Sequence, residues 1–147
     1  MRARSVLLLL VLLLVTGCGQ GSVSFDFDEV RYTLTGGVAG FNRVLQVKPD
    51  GSYEVFEETQ SIGRGRLAGA DLRQLKELLA AVEWLELQPA YTDPTVADAL
   101  FGTVLLRVGE QAHETVVGTG GSPPPAVAAL AEYLAEELSR LYLHERT

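Results

Sequence analysis

Val30, Tyr32 and Leu34 alternate with Arg31, Thr33 and Thr35, the period-two pattern of a strand with one face buried. Gly36-Gly37-Val38-Ala39-Gly40 interrupts it. A second strand follows over about 41–48, with Phe41, Arg43, Leu45 and Val47 on one face. Pro49-Asp50-Gly51 predicts a tight turn, because Asp-Gly supplies backbone positions with φ > 0. A third strand spans about 52–58; Tyr53 and Val55 alternate with Glu54, and Phe56 falls on the polar face. Residues 62–68 read as a short edge strand weakened by its glycines.

The period then changes. Leu72, Leu75, Leu78, Leu79 and Val82 line one face of a 3.6-residue repeat, which predicts a helix over about 70–85. Asp71 in its first turn complements the helix dipole, and Pro89 forbids continuation. Trp84 falls near its end, where an indole packs against the core. Residues 88–99, with two prolines, read as a loop. A second hairpin runs over 101–108 and 111–117 around Gly109-Glu110. The stretch GTGGSPPP at 118–125 excludes regular structure until Pro125, which suits the first position of a helix. That helix reaches about Leu143, with Val127, Leu130, Leu134, Leu138 and Leu141 on one face. The order predicts an α+β fold: an antiparallel sheet of about five strands with two amphipathic helices packed on one face. It forms a single domain over 29–147.

The start of the chain obeys different rules. Arg2 and Arg4 precede ten unbroken apolar residues, Val6 to Val15, and then Thr16-Gly17-Cys18. A cationic segment, a short apolar core and small residues before a cleavage point make a secretory signal. Ten residues are too few for a membrane-spanning helix, which needs about twenty. Val15-Thr16-Gly17-Cys18 resembles the lipobox of a bacterial lipoprotein. The resemblance implies removal of residues 1–17 and a diacylglyceryl thioether on Cys18, usually with an acylated amine. Residues 18–28 then form the lipidated cysteine and a short polar tether, and the protein is exported and anchored to a membrane of the cell envelope. Cys18 is the sole cysteine, so no disulfide is expected.

Charge narrows the partners. The 147-residue chain has a formal net charge of -7. Losing Arg2 and Arg4 leaves ten basic against 19 acidic residues, or -9. An acidic surface argues against nucleic acid and against a polybasic grip on anionic lipid.

Candidate chemistry is sparse. His113 and His144 share no metal-ligand spacing with a cysteine or carboxylate and read as surface histidines. The neighbours Glu57-Glu58 and Glu136-Glu137 diverge on a strand or helix and read as solvated faces. None of the serines sits in a G-x-S-x-G elbow. These residues predict a non-catalytic protein with no cofactor and no metal. Gly36 to Gly40 leads through Phe41-Asn42-Arg43 into a strand, which does not suit a nucleotide-phosphate loop. Two readings of it stand: a glycine-rich hairpin or bulge, or an exposed backbone that lets a partner approach closely.

The strand leading into Gly36-Gly37-Val38-Ala39-Gly40-Phe41, the leucine-rich helix over 71–87, the proline loop, the strand 101–108 and the closing helix after Pro123-Pro124-Pro125 together resemble the emfourin family of inhibitors of thermolysin-like metalloproteases. The resemblance covers most of residues 29–143 as a pattern of elements. It implies a protein partner, a secreted metalloprotease, met at Gly36, Gly37, Val38, Ala39, Gly40 and Phe41. The other functional expectation is an envelope scaffold or assembly lipoprotein without inhibitory activity.

Overall fold

A computed structural model describes residues 24–147; the signal segment and Cys18 lie outside the described residues. The first four strands are β1 (Glu29–Gly36), β2 (Phe41–Val47), β3 (Ser52–Glu57) and β4 (Gln60–Arg66). Helix α1 (Gly69–Ala81) and a 3-10 turn (Trp84–Glu86) lead to β5 (Ala90–Tyr91). Strands β6 (Leu100–Val108) and β7 (Gln111–Gly118) precede helix α2 (Pro125–Glu145).

The fold is α+β, but the sheet is larger than the patterning predicts. Seven strands lie in the order β4-β3-β2-β1-β6-β7-β5. The sheet is also mixed, because β5 runs parallel to β7. The expectation of about five antiparallel strands is corrected: the edge strand expected over 62–68 forms two residues earlier, and a further, parallel strand closes the other edge. On one side, residues 60–66 pair along the whole of β3, with a bulge between Val55 and Phe56. A Cβ at Gly65 would collide with the Tyr53 ring, and one at Gly63 would displace the Glu145 side chain. On the other side, Ala90–Tyr91 is too short to show alternation. It is pinned where the amide of Val116 donates to Pro89 O at 3.0 Å. Thr115, buried to 1% exposure, donates its hydroxyl to Gln88 O at 2.8 Å. A buried hydroxyl needs such a partner, and this one ties the proline loop to the sheet.

One face of the sheet carries the core. Val30, Tyr32, Leu45, Val47, Val55, Val104 and Leu106 are buried together with Leu75 and Leu79 of α1. Val127, Leu130, Leu134, Leu138 and Leu141 of α2 complete it. Their spacing of three, four, four and three keeps one stripe of α2 on the sheet. Packing begins before β1: Phe27 is buried, and the amide of Asp28 donates to Arg107 O at 2.8 Å. No helix among the described residues is long and apolar enough to cross a membrane.

Helix α1 ends at Ala81, four residues before the predicted limit, because Val82 turns extended with ψ 131. Trp84 then folds back and donates its indole N–H to Leu79 O at 2.9 Å, the same carbonyl that accepts the Val82 amide at 3.4 Å as the helix ends. Its ring lies 6.3 Å from that of His113, centroid to centroid. His113 pairs with Leu106 and is half-buried, so the surface reading of this histidine is corrected.

Candidate functional site

The glycine segment connects β1 to β2 in an antiparallel hairpin that closes where Gly36 pairs with Phe41. Gly36, Gly37 and Gly40 have φ of 95°, 73° and 63°, in the left-handed region that favours glycine. Two backbone hydrogen bonds fix the loop: Gly40 N–H donates to Gly37 O and Gly37 N–H to Ala99 O, both at 3.1 Å. The second crosses to the segment that opens β6, so the loop is tied to the body of the sheet. A Cβ on Gly36 would collide with that Ala99 carbonyl.

The tip is apolar and open. Val38 is 88% exposed, and Leu100 beside the loop is 37% exposed. Phe41 is half-buried at the base. The structure therefore brings Gly36, Gly37, Val38, Ala39, Gly40 and Phe41 together in one hairpin held by those two backbone bonds. In form it is the glycine hairpin of the first sequence reading, with a large apolar side chain exposed at its apex.

Next to the hairpin, the β3–β4 turn comes up against β2. Glu58 adopts φ 55° in this turn and donates its amide to Asn42 O at 2.8 Å. Between them opens a concavity of about 450 Å³, lined by residues 39–43 and 57–60. Behind Arg43 and Glu57 of its lining stand residues far apart from them in sequence. The Arg43 guanidinium lies 3.8 Å from the centroid of the Tyr142 ring and 4.6 Å from that of Phe41. Tyr142 donates its hydroxyl to Glu57 Oε1 at 2.5 Å and accepts from Arg146 Nη1 at 2.6 Å. Arg146 Nη2 stands 3.6 Å from Glu57 Oε2.

Sequence reasoning did not assemble this cluster, because Tyr142 and Arg146 lie about one hundred residues from Arg43. A signal was present all the same: Arg43 shares the apolar face of β2 with Phe41, Leu45 and Val47. A cation on a core-facing row needs an exceptional setting, and the aromatic clamp supplies it.

The other titrating groups stand apart from the hairpin. Asp50 is held below the usual carboxylate range by the hydroxyl and amide of Ser52, with a further contribution from Arg66. Tyr133 is pushed well above the ordinary tyrosine range by burial first, then by Glu137 and Asp71. Among the described residues, no three His, Cys, Asp or Glu side chains converge as metal ligands would.

The hairpin and the start of the domain lie at opposite ends of β1. Asp28 bonds the β6–β7 turn, its carboxylate accepting from Gly109 N at 2.5 Å. Gly36, eight residues along, pairs with Leu100 at the other end of β6. At about 3.3 Å per residue, roughly 25 Å separates them. No protein-family model matches this chain, and no curated protein matches it.

Proposed function

We propose that this protein is a membrane-anchored, non-catalytic binding lipoprotein that holds a protein partner at the glycine-hairpin end of its sheet. The observation that carries the reading is Val38: a large apolar side chain, 88% exposed, at the apex of a loop tied to β6. Solvating such a group on an otherwise ordered loop is unfavourable, and a partner that covers it gains apolar burial without ordering a floppy segment. The likeness of the element pattern to emfourins makes a secreted thermolysin-like metalloprotease the partner to test.

The test has two arms. The full chain, in detergent, is incubated at micromolar concentration with thermolysin-like proteases, and inhibition and complex formation are measured. The complex is expected with the natural chain and lost with Val38→Asp; equal retention by both rejects the hairpin reading, and no complex at all rejects a thermolysin-like protease as the partner. Membrane partitioning of the natural chain is compared with that of Cys18→Ala. Equal partitioning would reject the anchor.

A second reading, an envelope scaffold, draws on the face of the sheet that no helix covers. Val44, Phe56, Thr33, Thr103 and Val116 pair across it in one row and are half-buried. Retention of an envelope complex by variants altered throughout 36–41 would favour this reading over the first.

A further inference from the structure

Of the cations near the hairpin, Arg43 has the least settled charge. Its Nε is buried and has no hydrogen-bond partner among the described residues. Glu57 Oε1 stands 4.0 Å from it, beyond hydrogen-bond reach. That carboxylate is already engaged by the Tyr142 hydroxyl and by Arg146. The two aromatic rings shield the guanidinium, while the same residue forms part of the wall of the 450 Å³ concavity. An arginine held this way loses little side-chain entropy when it is engaged, and its planar fork matches a carboxylate.

We propose that Arg43 is the receiving group for a carboxylate of the partner, an Asp or Glu side chain or a chain terminus, inserted into the concavity beside the hairpin tip. The proposal rests on the hairpin-end reading and adds its chemistry: an apolar contact at Val38 and a charge-assisted pair at Arg43. Arginine clamped by aromatic groups at the edge of an apolar patch is the composition of an interface hot spot. Two acidic groups, Glu57 and Glu58, face the same space. Glu57 is compensated by Arg146, so exposed Glu58 is the group that competes with an incoming carboxylate. The overall negative charge of the chain opposes an acidic partner at long range, but salt screens that field beyond about 8 Å.

The test needs no identified partner. The full chain, uniformly labelled with nitrogen-15, is titrated with N-acetyl-glutamate amide and, separately, with N-acetyl-glutamine amide. The Arg43 Nε–Hε resonance is assigned from its loss in Arg43→Gln. The glutamate compound is expected to shift that resonance saturably, and the isosteric glutamine compound is not. Arg43→Lys keeps the charge but loses the fork, and should weaken binding about tenfold, the equivalent of roughly 1.4 kcal/mol. Binding there is followed through the amides of residues 57–60. Glu58→Gln should tighten it severalfold, an effect that a purely structural Arg43 would not produce. Equal shifts with both compounds, or unchanged affinity in Arg43→Lys and Glu58→Gln, overturn the proposal. A Val38→Asp chain that still binds the glutamate compound but loses the protease complex separates the two sites. Carboxylate binding without any protease complex leaves Arg43 standing while the protease reading falls.

Discussion

Alanine at Gly36 and alanine at Gly40 should differ sharply, although both glycines sit in the same loop with positive φ. For an L-residue the left-handed region costs about 1–2 kcal/mol. Replacing glycine also reduces the freedom of the unfolded chain, which offsets about 0.4–1 kcal/mol. At Gly40 a new Cβ meets nothing within 4 Å, so Gly40→Ala should destabilise by about 1 kcal/mol or less. At Gly36 the Cβ would overlap the Ala99 carbonyl and press on the Phe101 ring at 3.2 Å. Neither neighbour yields freely. Ala99 O holds the Gly37 amide, and Phe101 is paired in β6 opposite Thr35. Moving the carbonyl aside breaks that hydrogen bond and leaves groups unpaired, a further cost of about 1–3 kcal/mol. The expected loss for Gly36→Ala is therefore about 2–4 kcal/mol. Urea unfolding followed by the fluorescence of Trp84, the sole tryptophan, gives both values. The m-value should stay constant, since the surface exposed on unfolding does not change. Losses equal within about 0.5 kcal/mol, or a milder effect at Gly36, would show that Ala99 does not brace the loop.

The core and the alkaline limb supply further tests. Leu134, 1% exposed, packs under α2, whereas Leu143 on the same helix is 65% exposed. Leu134→Ala should cost about 2–5 kcal/mol and Leu143→Ala under about 0.5, measured by the same urea unfolding; comparable losses would misplace the buried face of α2. Tyr133 is held neutral above the ordinary tyrosine value of about 10. Because the folded state binds this proton more tightly than the unfolded chain, the stability is full below about pH 10 and is lost as pH rises beyond it. Tyr133→Phe should flatten the fall in midpoint between pH 10 and 12, and an unchanged slope would count against burial of that hydroxyl.

The leucines of α2 were legible because their spacing is local and unbroken over five positions. The end of α1 was not: no residue between Ala81 and Pro89 forbids a helix, and the turn depends on Trp84 reaching back to Leu79. Strand β5 was hidden for a different reason, since two residues carry no period and the pairing comes from β7, some twenty-five residues later. The hairpin was legible as a break in alternation, but its brace, Ala99, lies about sixty residues away and looks like any loop residue. The same limit hid the clamp on Arg43. Sequence shows that a cation stands on a buried row; only the crossing of α2 over that end of the sheet shows what it stands against.

Those distant contacts also decide how an anchored domain would present itself. Phe27 is buried and Asp28 is bonded to the β6–β7 turn, so a tether from Cys18 would meet the body of the domain at that end. The hairpin and Arg43 lie at the other end of β1, roughly 25 Å away. With Cys18 held at a bilayer, a fully extended tether of residues 19–26 adds about 28 Å at most. The hairpin end could then stand about 50 Å from the lipid when the sheet points outward. A secreted protein could reach it without touching the membrane. Shortening the tether should lower partner capture only once the domain is pressed onto the lipid, whereas moving the lipid attachment to the C-terminus should matter at any tether length. Helix α2 ends beside the concavity, with Arg146 against Tyr142, so an anchor there would turn the hairpin end toward the bilayer.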